Sequence, residues 1–301
     1  MLFRSRFDLA VDLRKHPETR PVLQHTGAPI LAGFDYRNRF AWLDVALEWT
    51  GDEIYARKRQ HNADDLVNLV DAIAASCESD RRLIAPGPAG PAPALQRKTP
   101  SASPVIWVHP TAGNDIKQWP IEYFAVVIDQ LVEAHGARIF LTGAPGDKAV
   151  AAAILRRLRH PEAVVSMIGR SPLAELPALM AEASLFLGND SGLKHIAAGL
   201  GIPTVGIHGG TLDPREWGPV GPSALAIARD MVCSPCYLAR LEDCRRDVAC
   251  LRQLEPGRVY DACRRMLLLA APPRAAPHPA AGEAKRAARR KAATAAQAGG
   301  R

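Results

Sequence analysis

The chain has 301 residues, 48% of them apolar, which is enough for two modest domains or one large one around a buried core. Its net charge of +7 would ordinarily point to nucleic acid or anionic lipid, but residues 272–301 hold seven Arg or Lys and one Glu. That tail takes up nearly all the excess, so basicity is no argument for a nucleic-acid-binding fold. Six cysteines are too few for a secreted disulfide scaffold, and no stretch nears the roughly 20 apolar residues of a membrane span.

The N-terminal "MLFRSRFDLAVDL" lacks the layout of a signal peptide, because its apolar run is short and broken by Asp8 and Asp12. A cytoplasmic protein is therefore expected. "FDLAVDL" (7–13) and "APILAGFD" (28–35) read as strands, and "ADDLVNLVDAIAAS" (63–76) as an amphipathic helix. Two clear strands in residues 1–84 are thin for an independent α/β domain, and the segment reads as the back half of one. Residues 85–104 carry six prolines and two glycines and read as a linker of polyproline character.

From 105 onward short apolar runs alternate with helical patterns. The runs are "VIWVH" (105–109), "RIFLT" (138–142), "VVSMI" (164–168), "SLFLG" (184–188), "TVGIH" (204–208) and "ALAI" (224–227). Helices are expected near 121–135, 147–159, 173–183 and 192–200. Such alternation means a parallel sheet covered by helices on both faces, a complete Rossmann-like domain over 105–270. Residues 271–301 have no core-forming pattern and read as a disordered, basic, Ala-rich tail. Each of its basic residues near an anionic lipid surface would contribute about 1 kcal/mol, which allows a peripheral membrane contact.

Open α/β sheets bind ligands outside the carboxyl ends of their strands. After "VIWVH" comes "PTAGNDIKQWP" (110–120), where Gly113 permits a close backbone approach and Lys117 is a charge that could meet a phosphate. The blander reading is a loop with one exposed lysine. After "RIFLT", Asp147 opens a helix, where the dipole alone would account for a carboxylate. The functional alternative is a ribose ligand, as for the acid after the second strand of dinucleotide sites. After "SLFLG", Asp190 can cap a helix, while Ser191 and Gly192 expose backbone N–H groups that suit an anion. His195 lies one turn on. Capping accounts for Asp190 and Ser191 but not for His195. Gly209, Gly210 and Thr211 follow "TVGIH" at the same edge. Four such loops together favour a nucleotide pocket over any one loop alone.

Cys233, Cys236, Cys244 and Cys250 are spaced C-x2-C-x7-C-x5-C. Four thiolates would complete a tetrahedral zinc site, but the second pair lacks the CxxC spacing of a zinc ribbon. Buried thiols or adventitious disulfides are the simpler readings; no metal and no cofactor is expected.

Taken together, "HPTAGNDIKQWPIEYFA", "LTGAPGDKA", "LGNDSGLKHIAAGLGIPTVGIHGGTLDPREWGP" and the later "CSPC…C…C" resemble the C-terminal domain of glycosyltransferase family 9, the ADP-heptose:lipopolysaccharide heptosyltransferase family. The resemblance implies an α/β fold of GT-B type, with two Rossmann-like domains facing a cleft. The N-terminal one would bind the acceptor. The C-terminal one would bind a nucleotide-sugar donor, ADP-heptose, through Gly113, Lys117, Asp147, Asp190, Ser191, Gly192, His195, Gly210 and Thr211. It implies inverting displacement at the anomeric carbon toward a lipopolysaccharide core or related glycan on a glycolipid, with the leaving diphosphate stabilised by positive charge and helix dipole and no metal demanded. The protein would be cytoplasmic, peripheral at the inner membrane. The family's base is an Asp in a Gly-Asp loop after the first N-terminal strand. "FDLAVDL" matches a later strand, so no residue is assigned as base. A truncated or non-catalytic nucleotide-sugar-binding module is the alternative.

Overall fold

Short apolar segments alternate with helices to form two parallel sheets in the computed structural model of the chain, which describes residues 7–15, 17–35, 38–48, 61–79 and 103–270. Nearly all of the expected linker and the whole of the expected tail lie outside the described residues. The smaller sheet has β1 (Leu9–Asp12), β2 (Ile30–Asp35) and β3 (Val45–Glu48), parallel and in that order. Helix α1 (Asn62–Ser79) covers it, with Leu69 and Ile73 packed on Ala32, Phe34 and Val45. Sequence periodicity anticipates β1, β2 and α1. It misses β3, a four-residue edge strand defined by its pairing with β2.

The larger sheet has β4 (Val105–His109), β5 (Arg138–Leu141), β6 (Val164–Ser166), β7 (Leu185–Asn189), β8 (Thr204–His208) and β9 (Ala224–Ala228). Its order is β6-β5-β4-β7-β8-β9, all parallel. This is the doubly wound order of dinucleotide-binding domains. Strands β7 and β8 are buried along their whole length, which is why they read as unbroken apolar runs rather than alternating ones.

Helices α2 (Ile121–His135), α3 (Lys148–Leu155), α4 (Leu176–Leu179), α5 (Gly192–Gly199), α6 (Pro214–Trp217), α7 (Ala249–Arg252) and α8 (Pro256–Ala270) surround this sheet. One core joins Phe124, Val127 and Leu131 of α2 to Val259 and Cys263 of α8 across β4, β5 and β7. A second core on the other face joins Leu176 and Met180 to Trp107, Phe186 and Ala197. No described helix is long and apolar enough to cross a membrane.

Two helices are shorter than expected. The first, α3, stops at Leu155 rather than running to 159. The Asp129 carboxylate of α2 takes the backbone N–H groups of Arg159 (3.0 Å) and His160 (3.3 Å), which draws the chain off the helix axis. The second, α4, is a single turn, since Pro177 sits where a longer helix would need its N–H. Helix α8 is given no bounds by the sequence reading, although Cys263 reads as a helix-face apolar residue and Val259, Ala262, Cys263 and Met266, all buried, carry a helical period.

Candidate functional site

Strands β4 and β7 are neighbours from which the chain proceeds to opposite sides of the sheet. Such a switch point leaves a crevice at the carboxyl ends, and the loops after β4 and β7 frame it here. The first loop, 110–120, is held firmly. Asn189, the last residue of β7, donates from Nδ2 to the Pro110 carbonyl (2.8 Å) and accepts at Oδ1 from the Trp119 N–H (3.1 Å). The buried Trp119 indole donates to the Leu254 carbonyl at 3.0 Å. Between these anchors a short 3-10 turn, Asp115–Lys117, carries Lys117 to the crevice.

There Lys117 Nζ donates to Asp190 Oδ2 at 2.9 Å. The other carboxylate oxygen receives Lys194 Nζ at 2.5 Å, and His208 Nδ1 stands 3.9 Å away. Lys194 and His208 are each 1% exposed and Asp190 is 7% exposed. Burial alone would raise the Asp190 pKa. His208 and Lys194 outweigh it, with hydrogen bonds from Lys194 and Lys117, and bring it down to about 2. Burial, helped by the nearby Lys194, lowers the His195 pKa to about 4. Burial likewise holds His208 at about 4, against the opposing pull of Asp190. Both imidazoles are neutral at pH 7.

This corrects the capping reading. Ser191 is the N-cap residue of α5, but its side chain makes no capping bond, and its buried hydroxyl has no hydrogen-bond partner among the described residues. Asp190 gives its oxygens to two ammonium groups instead of the helix amides. Gly192, exposed at the first position of α5, leaves room beside the free N–H groups of that turn.

Asp147 has different company. One oxygen, Oδ2, accepts from the Ala144 N–H (2.7 Å) and the Thr111 hydroxyl (2.9 Å), which ties the loop after β5 to the loop after β4. Nearby, a cavity of about 550 Å³ is bordered by His109, Thr142, Pro145, Arg170, Leu176 and Leu193. His109 Nδ1 lies 2.9 Å from the Thr142 carbonyl and donates to it, and burial lowers its pKa, so the ring is neutral. Gly113 has open space at its Cα. Gly210 and Thr211 are tied to a later segment: their carbonyls accept from the N–H groups of Cys236 (2.8 Å) and Tyr237 (2.9 Å), and Ser234 and Cys250 pack over Gly210. Cys233, Cys236, Cys244 and Cys250 are free thiols. Among the described residues no three His, Cys, Asp or Glu side chains are grouped to hold a metal ion.

A second cavity, also about 550 Å³, opens between the two sheets and is bordered by Arg14, His61, His195, Glu216, Trp217 and Tyr237. His61 Nε2 is 3.0 Å from the Gly218 carbonyl, and Asn62 Nδ2 donates to the Glu216 carbonyl at 3.3 Å. His195 thus faces both the Asp190 cluster and the cleft. Sequence reasoning singles out Lys117, Asp190 and His195, which the structure brings together, and misses Lys194, His208 and His61. Lys194 is given no role by the sequence, and His208 enters only as the last residue of the apolar run 204–208. The available signal is Gly206, two residues before His208: a Cβ there would come within 3.0 Å of Lys194 Cδ, so the glycine marks the path of a buried side chain.

Comparison with known proteins bears on what this arrangement is. Lipopolysaccharide heptosyltransferase 3 of Escherichia coli is 36% identical over 116 residues, covering 38% of this chain and 33% of that protein. The matched part therefore spans about a third of that relative's length. Lipopolysaccharide heptosyltransferase 1 of Pseudomonas aeruginosa is 24% identical over 281 residues, covering 87% of this chain and 74% of that protein. Among solved structures, the E. coli ADP-heptose lipopolysaccharide heptosyltransferase II aligns with a TM-score of 0.61 at 20% identity, covering 87% of this chain and 77% of that one. An E. coli heptosyltransferase solved with ADP aligns with a TM-score of 0.57 at 17% identity, covering 89% and 74%. These likenesses establish the fold, α/β of the GT-B type. The family model for glycosyltransferase family 9 (heptosyltransferase) matches residues 1–242, and the chain belongs to that family.

Proposed function

We propose that this protein transfers a sugar, heptose from ADP-heptose, with inversion to a lipopolysaccharide core or related glycan. The observation that carries the reading is the Lys117–Asp190 pair across the switch point, set at the free N–H groups of α5. A diphosphate placed there meets a lysine ammonium and a helix N-terminus, the two features that bind anions and stabilise a leaving phosphate. The apolar-walled cavity beside His109 and Leu176 suits the nucleoside base, with Asp147 in reach of the ribose. The cleft cavity between the sheets takes the acceptor, presented by a glycolipid at the cytoplasmic face of the inner membrane. His195, on both sides of that division, stands where sugar and acceptor meet.

Titration calorimetry with ADP tests the donor half. Binding in the micromolar range that weakens roughly 10- to 100-fold in Lys117→Ala is the expected result, and no binding at millimolar ADP overturns it. Turnover of ADP-heptose tests the rest: ADP binding without sugar transfer would make the chain a donor-binding module.

A further inference from the structure

Lys194 is an unexpected cation. It sits in the first turn of α5, where the helix dipole disfavours positive charge, and it is 1% exposed. Its stem runs past Gly206, the one residue type that leaves space there. Its ammonium is shared between Asp190 Oδ1 at 2.5 Å and His195 Nε2 at 3.0 Å. Its ion pair with the Asp190 carboxylate marks it as an ammonium, and that charge opposes the burial that lowers its pKa.

The two contacts restrict the chemistry of both partners. An ammonium has three hydrogens and no lone pair, so it can only donate. The nitrogen of His195 that faces it must therefore be the unprotonated acceptor, and the ring hydrogen must be on Nδ1. We infer that Lys194 is a positioning residue that locks His195 as the neutral Nδ1–H tautomer and holds Asp190 fixed as a carboxylate, so that the cleft meets one defined donor group.

The arrangement also separates the two lysines on Asp190. The Lys117 side chain is 20% exposed and carried on a loop. It is free to turn toward an incoming anion. Lys194 is not, and its charge stays on Asp190 when Lys117 leaves, so the carboxylate is never an unpaired anion beside a bound diphosphate. This last consequence rests on the donor reading above. The tautomer does not.

The test is made on the unliganded full chain. Long-range proton–nitrogen correlation of the His195 ring, assigned with His195→Gln, distinguishes the tautomers directly. Expected is an unprotonated Nε2 and a protonated Nδ1 at pH 7. A protonated Nε2 in the wild-type chain overturns the inference. In Lys194→Met, which fills the same channel, the ring should lose its fixed tautomer, and its titration should rise from about 4 toward the ordinary 6.5. The groups around that ring are Lys194 on its own helix, Asp190 at the end of β7, His208 at the end of β8 and His61 at the start of α1, so the three other than Lys194 remain to shape the curve. An unchanged tautomer and titration in a folded Lys194→Met overturns the assignment to Lys194. If that variant does not fold, the wild-type tautomer decides. Absence of ADP binding would defeat the donor reading while leaving the tautomer result intact.

Discussion

Asp147 and Asp190 hold equivalent places in two βα units of one sheet, each an acid between a parallel strand and the helix that follows. Their surroundings diverge. Asp147 is fastened by a backbone N–H of its own loop and a hydroxyl of the loop after β4, both uncharged donors. Asp190 is fastened by two ammonium groups from different elements and draws in His208. The same residue at the same kind of helix mouth is a brace between two loops in one unit and the centre of a buried charge cluster in the other. The difference arises from what the rest of the fold delivers to each strand end, which local spacing does not contain.

Removing the acid at each place is the strongest way to break this comparison. Loss of a helix cap costs about 1 kcal/mol. Asp190→Ala instead leaves Lys194 buried without its counter-ion and should destabilise the chain by about 3–5 kcal/mol in denaturant unfolding. A loss near 1 kcal/mol would return Asp190 to the role of an ordinary cap.

Acid should be the next most effective lever. A histidine held at about 4 in the fold and near 6.5 when unfolded takes up its proton preferentially in the unfolded chain. Stability is therefore full above pH 6.5, declines as pH falls toward 4, and is flat below that for this group. For His208 the decline is on the order of 3 kcal/mol. Asp190 has the complementary window, losing its contribution as pH falls from about 4 to 2. His208→Phe should flatten the upper window in unfolding curves measured from pH 7 to 4. A slope unchanged by that substitution would remove His208 from the cluster's energetics.

Lys117→Ala sharpens the comparison from the ligand side. It removes one of two ammonium groups and leaves the buried one, so stability should change by less than about 1 kcal/mol. ADP affinity should fall roughly 10- to 100-fold by calorimetry, the weight of a charge-assisted hydrogen bond. Asp147→Ala is the mildest. It gives up bonds to Ala144 and Thr111 at about 1 kcal/mol, with a smaller loss of ADP affinity than Lys117→Ala. If Asp147→Ala weakens ADP more than Lys117→Ala does, the roles of the two units are reversed.

Much of this was readable in advance. Strands buried on both faces, such as β7 and β8, advertise themselves as apolar runs, and the parallel sheet follows from their alternation with helices. Lys117, Asp190 and His195 could be chosen because each lies just past such a strand or one turn into the next helix. The buried partners of Asp190, Lys194 and His208, were less accessible. Whether Lys194 points to water or into the sheet depends on the absence of a side chain at Gly206, on a strand paired with β7. His208 looks like any strand-end residue until β7 and β8 are placed side by side. Edge strand β3 and the early end of α3 escaped for a related reason, since a pairing with β2 and a carboxylate on α2 decide them.

Asn189, at the end of β7 and next to Asp190, joins that strand to the loop that carries Lys117, through Pro110 on one side and Trp119 on the other. Sequence exchange between relatives therefore has a natural unit. Residues 110–120 and 189–195 form one mechanical part, though some seventy positions separate them along the chain. A chimera that replaces either segment alone would mismatch the bracket, whereas one that moves both together should carry the anion-binding geometry intact into a new scaffold.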